Sequence, residues 1–110
     1  MNSGDTSNKG VVFIVDDDEA MRNSLRWLIE SVGRTVETYE SARAFLDNHY
    51  PWRSGCLLLD VRMPGRSGLE VLPEFKSLRP PPHVIMITAF HDMDTTIEAM
   101  QQGAEDYIHK

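Results

Sequence analysis

The chain has little that could hold it together other than a core. Its single cysteine, Cys56, has no partner for an internal disulfide. The four histidines, His49, His83, His91 and His109, are scattered, so no Cys/His set has the spacing of a zinc site. A reducing compartment is the natural expectation. No apolar run approaches the roughly 20 residues that a membrane span needs, and residues 1–9 lack an apolar signal core. The expectation is a cytoplasmic protein without membrane contact, beginning in a disordered tail over residues 1–9. A basic face is also lacking. The net charge is -6 and the pI is about 5.1, so this segment is not expected to touch nucleic acid directly. There is no internal repeat, and low complexity is confined to Pro80-Pro81-Pro82.

What is present is the material of one small domain. Of 110 residues, 41% are hydrophobic, which suffices for a single core over residues 10–110. Val11–Val15 is an unbroken, mostly β-branched run that stops at Asp16-Asp17-Asp18. Strands buried on both faces read this way. Met21, Leu25, Leu28 and Val32 then form a helical stripe, with Asp18 as the expected N-cap and Gly33 as the stop. Thr35–Tyr39 reads as a weaker strand, and Ser41 can cap a short helix carrying Ala42, Phe45 and Leu46. Cys56–Leu59 is a second buried run and ends in Asp60. A turn-rich loop, Val61–Gly68, leads to a helix with Leu69, Leu72, Phe75 and Leu78. Pro73 inside it predicts a kink or a late start. Val84–Ile87 is a third buried run, ending in Thr88. Asp94 can cap a helix through Ile97, Ala99 and Met100, which Gly103 ends, and Asp106–Lys110 begins a last strand. Strand and helix patterns alternate with short links, which predicts an α/β fold on a parallel sheet.

Polar residues close the buried runs: Asp16 and Asp17, then Asp60, then Thr88. In an open parallel sheet these ends share one edge, where ligands bind. Three carboxylates gathered there repel one another unless a cation neutralises them. Oxygen donors suit a hard divalent ion such as Mg²⁺. A carboxylate beside such an ion can attack phosphorus and carry an aspartyl phosphate. Thr88 and Lys110, at neighbouring strand ends, could meet the phosphoryl oxygens. Each feature alone has an ordinary reading: acids after strands cap and solvate, threonines finish strands, tyrosines pack, terminal lysines face water. Cys56 reads as a small apolar filler.

Four motifs in order, Val15-Asp16-Asp17, Asp60 with Val61-Arg62-Met63-Pro64-Gly65, Ile87-Thr88-Ala89, and Asp106-Tyr107-Ile108-His109-Lys110, resemble the receiver domains of two-component response regulators. The resemblance covers about residues 10–110. It implies a doubly wound five-stranded parallel sheet of flavodoxin-like order 2-1-3-4-5. Such domains usually continue past the lysine into a fifth helix. The sequence given stops at Lys110, so that helix is expected to be absent or truncated. The resemblance also implies that Asp16, Asp17, Asp60 and the backbone carbonyl of Arg62 hold Mg²⁺. Asp60 would be the phosphoacceptor, Thr88 and Tyr107 the switch, and Lys110 the partner of the phosphoryl oxygens. The implied partner is a sensor histidine kinase. A homodimer through the fourth helix and fifth strand is possible in such domains, with transcription regulation as the expected output. The loop at Asp60 is similar to regulators with helix-turn-helix outputs, and His91–Lys110 to sigma-54-dependent activators. Arg62 and Phe90 would flank the acceptor and hinder water, so a phosphoryl lifetime of minutes or longer is expected. One alternative is a Mg²⁺ phosphohydrolase using Asp60, disfavoured because Arg62 stands where such enzymes need a second acid. Another is a pseudo-receiver that binds partners without phosphorylation.

Overall fold

The structure is a computed structural model that describes residues 10–48, 55–63, 65–89 and 92–109. The expected tail at residues 1–9, and His49, Pro64, Phe90, His91 and Lys110, lie outside the described residues.

The order of elements is β1 (Val11–Val15), α1 (Glu19–Glu30), β2 (Val36–Tyr39), α2 (Ala42–Asp47), β3 (Gly55–Asp60), α3 (Gly68–Lys76), β4 (His83–Thr88), α4 (Met93–Gln101) and β5 (Asp106–His109). The five strands form one parallel sheet in the order β2-β1-β3-β4-β5. This is the doubly wound arrangement expected from the sequence. Both faces are covered, which is why β1, β3 and β4 are continuous apolar runs rather than alternating ones.

Alternate residues of each strand feed two cores. Phe13, Val15, Leu57, Leu59, Val84 and Met86 pack with α2, α3 and α4, through Phe45, Val71, Leu72, Phe75 and Ala99. Ile14, Val36, Leu58 and Ile87 form the opposite core with Met21, Leu25 and Ile29 of α1. Cys56 packs against that second core, and burial, reinforced by Glu105, pushes its thiol pKa up. This accords with a filler rather than a reactive thiol.

The capping signals hold at two helices. Asp18 Oδ1 accepts the N–H groups of Ala20 (2.9 Å) and Met21 (3.3 Å), and Ser41 Oγ accepts that of Ala44 (3.0 Å). Gly33 (φ 87°) turns the chain away after α1, in a left-handed conformation that suits glycine.

Four expectations need correction. The inward stripe of α1 is Met21, Leu25 and Ile29, whereas Leu28 (58% exposed) and Val32 (73%) face outward. At 3.6 residues per turn the packed arc from Met21 through Leu25 to Ile29 is centred on Leu25, which leaves Leu28 about 60° to one side, and Val32 lies past the helix end at Glu30. Strand β2 begins at Val36 rather than Thr35. Of the two outcomes expected at Pro73, a kink or a late start, the late start is the one excluded: helix α3 begins at Gly68 and runs through Pro73. Ser67 starts it with a capping box, its Oγ accepting the Glu70 N–H (3.2 Å) while Glu70 Oε1 accepts the Ser67 N–H (2.8 Å). Finally, Asp94 is not the cap of α4. Asp92 is, and its side chain does not cap at all, because it turns to Arg62. Asp94 lies in the first turn, where its charge suits the helix dipole.

Candidate functional site

The parallel register brings the C-terminal ends of β1, β3 and β4 to one edge. Val15 pairs with Leu59, and Asp60 with Ile87. The residue after β1, Asp16, therefore stands beside the last residue of β3, Asp60, with Thr88 one strand further on. Carboxylate oxygens of Asp16, Asp17 and Asp60 lie within 4.8 Å of one another. Asp16 (0% exposed) and Asp60 (1%) are buried, and Asp17 is exposed at the rim.

Local backbone holds this cluster in place. Asp16 Oδ1 accepts the Asp18 N–H (2.9 Å), and the Asp16 carbonyl accepts from the Arg22 guanidinium (2.8 Å). The Arg62 N–H donates to Asp60 Oδ1 (3.3 Å), which puts the Arg62 backbone against the Asp60 carboxylate. Asp16 Oδ2 is buried and has no hydrogen-bond partner among the described residues. A buried carboxylate oxygen left so is costly. Two unit charges 4.8 Å apart repel by about 3.5 kcal/mol at an effective dielectric near 20. The donor set is all oxygen, and one of its buried oxygens lacks a hydrogen-bond partner among the described residues. These residues fit a hard divalent cation.

Gly68 is the unanticipated support of the site. A Cβ there would stand 2.3 Å from the Asp60 carbonyl oxygen and 3.1 Å from Met86 Cε. The Gly68 N–H also donates to the Val61 carbonyl (2.8 Å). The helix start is thus pressed onto the backbone of β3 at Asp60. Helix propensity alone would make Gly68→Ala stabilising by up to about 1 kcal/mol. The contact predicts the opposite sign, a loss of about 1–3 kcal/mol, read as a lower urea midpoint at unchanged slope.

The expected switch residues are placed as follows. Thr88 ends β4 and is fully buried. Its Oγ1 donates to the Ala89 carbonyl (3.0 Å) and accepts from Thr96 Oγ1 (2.8 Å), so the hydroxyl is engaged with α4 and not with Asp60. Tyr107 of β5 is 39% exposed and meets His109 edge to face at 5.7 Å. The structure thus joins Asp16, Asp17, Asp60 and the Arg62 backbone, with Thr88 at the neighbouring strand end and Tyr107 on the edge strand β5. Lys110 and Phe90 lie outside the described residues. The Arg62 side chain leaves the site and its Nε reaches Asp92 Oδ1 (2.5 Å). Asp92 and Thr96 leave no mark on the apolar periodicity, which registers only apolar residues. The available signal was polar residues at inward positions of α4.

The family model of the response regulator receiver domain matches residues 12–110. The "Transcriptional regulatory protein FixJ" of Azorhizobium caulinodans is 46% identical over 99 residues, covering 90% of this chain and 47% of that protein. "Nodulation protein W" of Bradyrhizobium diazoefficiens is 42% identical over 106 residues, covering 96% and 47%. The full-length FixJ structure from B. japonicum superposes with a TM-score of 0.84 at 40% identity, covering 93% of this chain and 50% of that one. The chain therefore spans about half the length of these relatives. No helix among the described residues is long and apolar enough to cross a membrane. Matched from the second residue of β1 onward, and folded as its relatives are, the chain belongs to the receiver-domain family of two-component response regulators.

Proposed function

We propose that this chain is a Mg²⁺-dependent phosphoacceptor switch, with a domain spanning residues 10–110 and Asp60 as the acceptor. The observation that carries the reading is the acidic cluster, with Asp60 buried at the end of β3 and oxygens of Asp16 and Asp17 within 4.8 Å. Asp16, Asp17, Asp60 and the Arg62 carbonyl are the residues that would hold the ion. Once bound, Mg²⁺ would offset the clustered charge and polarise a phosphoryl oxygen.

A phosphohistidine of a sensor kinase is the donor. An Asp60 carboxylate oxygen forms a bond to phosphorus as the P–N bond to the kinase imidazole breaks, and the electron pair of that bond stays on the imidazole. The oxyanion needs no base, so positioning and charge neutralisation suffice. Lys110 is the proposed partner of the phosphoryl oxygens. Thr88 then turns its hydroxyl from Ala89 and Thr96 toward the phosphoryl group, and Tyr107 moves inward behind it. The new charge and acceptor oxygens bias two existing states rather than create one. Arg62 stands two residues after Asp60 and is bound to Asp92, so it supplies no acid for a turnover enzyme. Helix α4 and strand β5 carry exposed Ile97, Tyr107 and Ile108, which suits an altered contact surface or a homodimer. The names of the relatives support transcription regulation as the output, exerted in the cytoplasm by a further part of the protein.

The metal half of this reading has its own test. Mg²⁺ binds the folded cluster and has no such site in the unfolded chain, so at one hundred times its dissociation constant it should add about 2.7 kcal/mol of stability. Thermal unfolding with and without Mg²⁺, alongside calorimetric titration, measures this. Asp16→Ala should lose the increment. Equal melting temperatures for the wild type, with no heat of binding, would remove the metal site from the account.

A further inference from the structure

We propose that Thr96 is a positioning residue that holds the Thr88 hydroxyl away from the acceptor and so sets the resting level of the switch. The inference rests on the phosphoacceptor reading above. Thr96 lies on the inward face of α4 and is fully buried, as is Thr88. Its Oγ1 stands 2.8 Å from Thr88 Oγ1 and 2.9 Å from the Asp92 carbonyl. The protons can be assigned by elimination. Thr88 has one hydroxyl proton and gives it to the Ala89 carbonyl, which cannot donate back. Thr88 Oγ1 must then be the acceptor toward Thr96.

This makes the two states unequal. In the resting state Thr96 gives its proton to Thr88. When Thr88 turns toward a phosphoryl oxygen that bond is lost, and Thr96 falls back on the Asp92 carbonyl, four residues earlier in its own helix. Thr96 is never orphaned, but the turned state has one bond fewer between β4 and α4. Helix α4 also begins at Asp92, which is tied to Arg62 beside the acceptor. The Thr88–Thr96 bond is therefore a direct link between the acceptor edge and the helix whose surface is to change. A neutral buried hydrogen bond is of a size to shift such an equilibrium by about five-fold.

Thr96→Val keeps the shape and β-branching and removes the hydroxyl, whereas Thr96→Ser keeps the hydroxyl. The probe is beryllofluoride with saturating Mg²⁺, titrated against the full chain by calorimetry, with melting temperatures taken in parallel. Thr96→Val should bind beryllofluoride about five-fold more tightly than wild type, and Thr96→Ser should match wild type. In a Thr88→Ala background the valine substitution should change nothing. A valine variant with wild-type affinity, or with the same gain when Thr88 is absent, would overturn the role given to Thr96. A change in melting temperature without a change in affinity would mean a merely structural threonine and would overturn it too. If wild type fails to bind beryllofluoride at all, the phosphoacceptor reading falls and this inference falls with it.

Discussion

Asp60→Asn should take up no phosphoryl group from a small-molecule phosphodonor under conditions in which wild type is modified. The substitution keeps the shape of the side chain and replaces a carboxylate oxygen by an amide, whose lone pair is delocalised and does not attack phosphorus. It also removes one of three charges gathered within 4.8 Å. Each pair repels by about 3.5 kcal/mol at an effective dielectric near 20, so without Mg²⁺ the variant should be as stable as wild type or more so. Loss of phosphoryl uptake together with an equal or raised melting temperature separates a missing nucleophile from a misfolded protein. Asp17→Asn, at the exposed rim, should weaken Mg²⁺ binding and slow modification while leaving the acceptor in place. Radiolabel incorporation measured beside thermal unfolding reads both effects.

Phe45→Ala should give the largest loss of stability, about 3–5 kcal/mol. Phe45 is 1% exposed and meets three rings edge to face: Phe13 at 5.1 Å, Tyr39 at 5.4 Å and Phe75 at 5.3 Å. Those rings come from β1, β2 and α3, so Phe45 ties the short helix α2 to the larger core. Helix α2 spans only Ala42–Asp47, too short to persist without tertiary packing. For a domain whose whole stability is about 5–15 kcal/mol, the truncation should lower the urea midpoint steeply. A loss below about 1 kcal/mol would mean that the neighbouring rings close the cavity.

Much of this was legible in the amino-acid sequence, for reasons that differ by element. Strands β1, β3 and β4 are buried on both faces, so burial leaves them as unbroken apolar runs. The acids that close them mark the edge where the sheet gathers its ligands. Asp18 and Ser41 were legible as caps because capping is a local matter. The side of α1 that packs was not local. Leu28 and Val32 belong to a plausible stripe, yet the sheet meets Ile29, and where one helix lies across the strands decides the matter. Asp92 was hidden because its carboxylate serves Arg62, 30 residues away in the sequence, rather than its own helix. Thr96 was hidden because a hydroxyl on an inward face breaks an apolar pattern instead of making one. Gly68 looked like one more turn residue until its contact with the Asp60 carbonyl gave it a purpose.

The most direct test of the central claim is to locate the modified residue. The chain is exposed to a small phosphodonor with Mg²⁺ and reduced with borohydride, which converts an aspartyl phosphate to homoserine, and its peptides are then sequenced by mass spectrometry. The expected result is homoserine at position 60 of the wild type and at no other aspartate, with none formed when Mg²⁺ is withheld. Homoserine at Asp16 or Asp17, or stable label on a histidine with Asp60 intact, would contradict it.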